Sequence, residues 1–338
     1  MDGRFSGKIE NEVETIQETR ECPQIDATLN ESFENLFNDD YIEVPENDGK
    51  DSAPVDAPAI FEGLFTDDFK KNDIEVDNDG NVSQDGEIED IDLAGTYAPN
   101  SKIYKDGNTY DTDDNGRIYK VNGIELLPNS EYEIDGNKYK TDENGRIVSV
   151  VAYPKSTPEG ERDTKAQEQA GGGDRRENDQ GGHILARILG GYKGIENMLA
   201  MWEKVNTGPY KKMENEIVNA IKAGKDVKME VKIEYDGNSE RPSKIIVKYT
   251  IDGKETTVIF DNNEGSTDLM SEVEDVVDEE AYQDIKEEIE DAKDDGEKVS
   301  VMSVKIEYDE EGNAENVVVC IRYGGENHYR NVTPKQEG

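Results

Sequence analysis

Two histidines occur in the 338 residues, His183 and His328. His183 follows Asp179-Gln180-Gly181-Gly182 and leads into the apolar Ile184-Leu185-Ala186, whereas His328 sits beside Gly324-Gly325 without an adjacent group of acids and amides. Downstream of His183 stand Asn197, Asn206 and Glu214, at spacings of 14, 23 and 31 residues. An imidazole, amide oxygens and a carboxylate are groups that phosphodiester hydrolysis uses. That reaction needs a base to activate water, a divalent cation to stabilise the pentavalent phosphate and the leaving oxygen, and a positive group on the non-bridging oxygens. Oxygen ligands supplemented by retained water suit Mg2+ or another divalent cation. If one of the two histidines is catalytic, it is His183.

The elements that must position these groups can be read around them. Residues 179–182 read as a turn and the apolar run after His183 as a strand. Met198, Leu199, Met201 and Trp202 read as the core face of a helix and carry no chemistry. Pro209 fits the first position of a helix over residues 210–223, which Gly224 closes. Strands are expected at residues 227–235, 244–251 and 256–260. A helix laid across a β-hairpin would present Asn206, just before its start, and Glu214, in its first turns, to an ion opposite His183. Lys211 and Lys212 are either phosphate contacts or a solvated helix face. A lone histidine after a glycine turn is ordinarily structural, and the joint spacing of the four residues is what outweighs that reading.

The run Asp179-Gln180-Gly181-Gly182-His183-Ile184-Leu185-Ala186-Arg187 is preceded by Arg162 and Gln167 and followed by Gly190-Gly191, Ile195-Glu196-Asn197, Asn206 and Tyr210-Lys211-Lys212-Met213-Glu214-Asn215. Together these resemble the DNA/RNA non-specific endonuclease family, in particular the branch found as nuclease toxins of type VII secretion systems. The likeness covers roughly residues 130 to 258. It implies an α+β fold with a ββα-metal (His-Me finger) nuclease core and flanking β-hairpins, and a metal-dependent endonuclease acting on DNA and RNA. On that resemblance His183 is the general base, Asn206 the direct metal ligand, Glu214 a ligand through water, and Asn197 a support for the phosphate or the base. Cleavage without sequence preference follows if the site grips the phosphate backbone, since phosphate contacts carry no sequence information. Export by a type VII system and an immunity protein as partner are further implications of the likeness. The chain departs from the family's Asp-Arg-Gly-His form by carrying Gln180-Gly181-Gly182 before the histidine, so the usual arginine is missing. Arg175, Arg176 and Arg187 are the candidates to supply its charge.

The charge is unevenly placed. The net charge is −42, yet residues 155–261 hold 18 Lys plus Arg against 19 Asp plus Glu, so almost all the excess acid lies outside them. That weakens the objection that a strongly acidic protein repels nucleic acid. Residues 1–95, with Asp85-Gly86-Glu87-Ile88-Glu89-Asp90 and breaks at Pro45, Pro54 and Pro58, read as largely disordered. Residues 96–153 contain a repeat in which 99–118 is echoed by 128–147, each unit alternating strands with Asp-Gly or Asn-Gly turns, and read as a β-meander. Asp111, Asp113 and Asn115 match the opening of a calcium loop, but Asn122 replaces its terminal Glu, so a hairpin turn is expected. Residues 154–262 hold the nuclease-like core. Residues 263–338 read as a smaller α+β repeat: a helix over 268–292, then Val304-Lys305-Ile306-Glu307-Tyr308-Asp309, matching Val231-Lys232-Ile233-Glu234-Tyr235-Asp236 residue for residue.

Cys22 and Cys320 form neither a metal pair nor a disulfide framework. No apolar run reaches a membrane span and the start lacks an apolar secretory core, so a soluble protein outside the general secretory route is expected. No membrane partner or small-molecule cofactor is expected. The alternative is a non-enzymatic β-rich interaction protein with a vestigial nuclease part; intact His183 and Asn206 argue against it. An acidic nucleic-acid mimic is a weaker third reading, because the charge sits in flanks unsuited to a rigid mimic.

Overall fold

The computed structural model describes residues 74–76, 82–84, 91–105, 107–157 and 163–335. All of these belong to the compact unit Asp68–Gly338. Most of the acidic stretch expected to be disordered, and Arg162, lie outside the described residues.

The strands fall into three sheets. A six-stranded sheet comprises β1 (Ile74–Val76), β2 (Val82–Gln84), β3 (Lys102–Lys105), β4 (Asn108–Thr112), β5 (Ile118–Val121) and β6 (Glu125–Leu126). The second repeat forms β7 (Glu131–Ile134), β8 (Asn137–Thr141) and β9 (Ile147–Ala152). After helix α1 (Thr164–Gln169), β10 (Asp179–His183) and β11 (Met198–Trp202) make a two-stranded sheet. Next come a short helix α2 (Glu203–Val205), one wide π-helical turn (Asn206–Tyr210) and α3 (Lys211–Lys222). Three strands follow, β12 (Val227–Tyr235), β13 (Pro242–Ile251) and β14 (Lys254–Asp261). Helices α4 (Met270–Val276) and α5 (Glu279–Asp294) then precede β15 (Ser300–Tyr308), β16 (Ala314–Tyr323) and β17 (Glu326–Val332).

Nine strands make one sheet in the order β17-β16-β15-β14-β13-β12-β9-β8-β7, antiparallel throughout. The expected single meander over 97–153 is therefore corrected: its two repeats enter different sheets. Their turns are nonetheless the same device. Asp113 accepts from the backbone of Asn115 and Arg117, and Asp142 from that of Asn144 and Arg146. These bonds close the turn as a hairpin requires, and Asp113 also accepts from Glu133 N of β7 at 2.9 Å.

Alternation explains the sheet. Val227, Met229, Val231 and Ile233 of β12 are buried while Lys228, Glu230 and Lys232 face water. On α3, Met213, Ile217 and Ala220 recur at helical spacing and pack against β12, β13 and β14. On α5, Ile285, Ile289 and Ala292 do the same over β15 and β16. In β14, Val258 and Phe260 join the first core and Ile259 the second; in β16, Cys320 joins the first, and Val319 and Ile321 the second. α3 and α5 therefore cover opposite faces of one sheet. The single helix expected over 268–292 is two, because Val277 is extended and bridges to Pro334 while Asp278 caps α5 through Ala281 N at 2.8 Å. No helix among the described residues is long and apolar enough to cross a membrane.

Candidate active site

The segment expected to be a turn, Asp179–Gly182, is a strand with His183 at its end, and the run expected to be a helix, Met198–Trp202, is its partner. The register pairs His183 with Met198 and Asp179 with Trp202. Five consecutive buried apolar residues carry no period, and here both faces of the strand are covered. The glycines of β10 are required by close approach. A Cβ on Gly181 would lie 2.3 Å from Gln167 O of α1, and one on Gly182 would lie 2.6 Å from Met201 Sδ and 2.8 Å from Asn206 Oδ1.

Two buried groups anchor this hairpin to the large sheet. Asp179 receives Arg241 Nε at 2.7 Å and Nη2 at 2.9 Å, a two-pronged ion pair in which both side chains are almost fully buried. Asn262 accepts from Trp202 N at 2.7 Å and donates to Ala200 O and Pro242 O, both at 2.8 Å. Neither Arg241 nor Asn262 was singled out from the sequence, since only the fold brings them to the hairpin.

Three side chains fix the surroundings of His183. Asn197 is fully buried, and its amide is spent on backbone: Oδ1 accepts from Leu185 N at 3.0 Å, while Nδ2 donates to Leu185 O and Tyr192 O, both at 2.8 Å. It braces the loop leaving His183. Tyr210 donates its hydroxyl to Ile184 O, the carbonyl next after His183, at 2.6 Å. Asn206 donates Nδ2 to Gln180 Oε1 at 2.8 Å, which orients its Oδ1 toward Gly182. The strand end, the loop and the entry to α3 are thus stitched together.

Glu214 lies half-buried in the first turn of α3. Burial pushes its carboxyl up to about 7, with the charge of Lys211 opposing. Its charge in turn helps hold the Tyr210 hydroxyl well above the usual tyrosine range, after burial itself.

The arginines expected to supply positive charge each donate to a partner within the chain. Arg175 donates to the carbonyls of Gln167, Glu168, Ala170 and Asp179. Arg176 donates to Asn263 Oδ1 at 3.0 Å, and Arg187 to Gly191 O. Lys211 is exposed, and Lys212 places Nζ 3.9 Å from the ring centre of Tyr329 in β17. His328 stacks on Tyr323, ring centres 4.0 Å apart.

The upstream sheet also reaches the site. Glu196, next to Asn197 and fully buried, accepts from Lys120 Nζ and Tyr119 OH of β5, both at 2.9 Å.

Among the described residues no three His, Cys, Asp or Glu side chains converge as a metal cage. The donors nevertheless suit a hard divalent cation held through few protein oxygens and several waters. Asn206 has its oxygen oriented by Gln180. Glu214 carries a carboxylate whose ionisation is disfavoured by burial and which a cation would stabilise.

A strand pair leading through a turn into a helix, set on a large antiparallel sheet, agrees with what comparison finds: residues 128–253 match the DNA/RNA non-specific endonuclease family. The matched residues are of mixed helix and strand, with a sheet-rich core. The same region is 41% identical over 108 residues to the type VII secretion system protein EssD of Staphylococcus aureus strain USA300. The EssD proteins of strains NCTC 8325 / PS 47 and Newman match at the same identity. The matched part is 29% of this chain and 17% of the relative, so the chain covers a small fraction of the relatives' length.

Proposed function

We propose that this chain is a divalent-metal-dependent endonuclease of the ββα-metal type that hydrolyses phosphodiester bonds of DNA and RNA without reading their sequence. The observation that carries the reading is the stitching of His183 to the Asn206 turn: Tyr210 and Asn197 fix the two residues following His183, while Gln180, on the same strand, orients Asn206.

His183 accepts the proton of a water molecule, whose oxygen bonds to phosphorus as the bond from phosphorus to the leaving oxygen breaks. Asn197 acts on the base as a positioning residue. Asn206 Oδ1 would hold the cation directly and the Glu214 carboxylate would hold it through water. When bound, that cation neutralises charge on the phosphate and the leaving oxygen. Near neutral pH burial leaves Glu214 only partly ionised, so holding a cation there would favour its charged form. Export by a type VII system, a toxin role and an immunity protein rest on the likeness to EssD alone.

The test is digestion of plasmid DNA and total RNA by the full chain with Mg2+, with EDTA, and with His183→Ala. Degradation that requires both Mg2+ and His183 is the expected outcome. Intact substrate with every divalent ion tried, from folded protein, would return the chain to the non-enzymatic interaction reading.

A further inference from the structure

Phosphoryl chemistry needs a cation on the non-bridging oxygens; of the arginines near His183 in sequence, Arg175 donates to four carbonyls, Arg187 to Gly191 O and Arg176 to Asn263 Oδ1. A further cation beside the Asn206 turn comes from the far end of the chain. Strand β17 runs against that turn: a Cβ on Gly208 would lie 2.8 Å from Asn327 Nδ2. The oxygen of the same amide accepts from Arg322 Nη1 of β16 at 2.8 Å.

The register settles which way Arg322 faces. It pairs with Asn327, as Cys320 pairs with Tyr329. Cys320 belongs to the core beneath α3, and Arg322, two residues further along β16, shares that face. Lys212 lies over Tyr329 on the same side. Arg322 is half-buried and forms no ion pair among the described residues; its one described hydrogen bond is to Asn327. Lys305, farther along this face, is bound to Glu216 and Glu307.

We propose that Arg322 is a substrate-phosphate contact, so that β16 and β17, outside the segment matching the family, complete the site. The proposal rests on the nuclease reading above. Asn327 occupies one N–H of the guanidinium and orients it, leaving the others for a phosphate oxygen pair, the geometry in which arginine outperforms lysine. In a chain of net charge −42, a polyanion can be held only by such local cations.

The test uses the full chain and steady-state cleavage of a labelled DNA duplex over a range of salt, with Arg322→Gln, Arg322→Lys and Lys293→Gln. Lys293 is an exposed cation of α5, on the opposite face, so its loss changes net charge equally. Arg322→Gln should raise KM about 10-fold with kcat nearly unchanged, and lower the slope of log KM against log salt by about 0.9, one phosphate contact. Arg322→Lys should fall between, keeping the charge and losing the fork. Should Arg322→Gln lower the melting temperature, Arg322→Lys carries the test by its KM. Unchanged KM and slope, or an equal effect from Lys293→Gln, overturns the proposal while the nuclease reading stands. If wild type does not cleave, that reading falls. Anisotropy with the same duplex then decides Arg322 alone: weaker binding by Arg322→Gln than by wild type supports the contact, and equal binding removes it.

Discussion

α3 with β12–β14 and α5 with β15–β17 are each a helix followed by a three-stranded antiparallel meander, whose first strand ends in the same Val-Lys-Ile-Glu-Tyr-Asp sequence. They pack on opposite faces of one sheet and differ most in how the helix begins. α5 starts from a plain Asp278 cap with Glu279 and Glu280 in its first turn. α3 is entered through the Asn206–Tyr210 turn, in which Gly208 leaves helical geometry, and a hairpin bearing His183 precedes it. The helix and strands are shared; the proposed base and metal-binding amide lie in the lead-in, while Glu214 stands on the helix itself and Arg322 on the second copy. An acid at the start of α5 is only a favourable charge near a helix N-terminus, whereas Glu214 is desolvated and raised to about 7.

The comparison breaks or sharpens at four points. His183→Ala should cost about 1,000-fold in cleavage, the scale of losing a general base, while Glu280→Gln on α5 should leave the rate unchanged. Equal losses in a plasmid-nicking assay would sink the contrast. Asn206→Ala should lower activity about 100-fold and raise the Mg2+ concentration needed for half-maximal rate; an unchanged Mg2+ requirement would remove Asn206 from the metal. The third point is pH. Burial pushes the Glu214 carboxyl in the folded protein up to about 7 from its ordinary 4.5. Below 4.5 it is protonated in both states, and stability is lost as pH rises through 7. Without divalent ions, wild type should therefore lose about 2 kcal/mol relative to Glu214→Gln between pH 4.5 and 8. Parallel urea-unfolding curves would contradict this. Last, Asp278→Ala should cost about 1 kcal/mol of stability, the usual worth of a cap, with no change in cleavage rate.

Much of this was legible where the signal is local. Pro209, Gly224 and the spacing of Met213, Ile217 and Ala220 mark α3, and the alternation in 227–235 marks β12. The apolar run 198–202 was misjudged because burial on both faces erases the period of two. Asp179-Gln180-Gly181-Gly182 looked like a turn because its glycines serve close packing against α1 and Met201 instead of positive φ. Sheet membership was not legible: near-identical turns at Asp113 and Asp142 fix hairpins, not which strand lies alongside. Nor did the sequence indicate the chain partners of Arg175, Arg176 and Arg187. Carbonyl partners leave no mark in composition.

Strands β9 and β12 are neighbours, Ala152 facing Met229, although the whole hairpin, loop and α3 lie between them in sequence. The segment carrying His183, Asn206 and Glu214 is thus one excursion whose two ends are held a strand spacing apart, about 4.8 Å. Closing such an excursion costs entropy only as the logarithm of its length, about 0.6 kcal/mol per doubling. Its exposed stretches can therefore lengthen or shorten over generations while the sheet beneath keeps its register, which lets the site diversify without the scaffold being rebuilt.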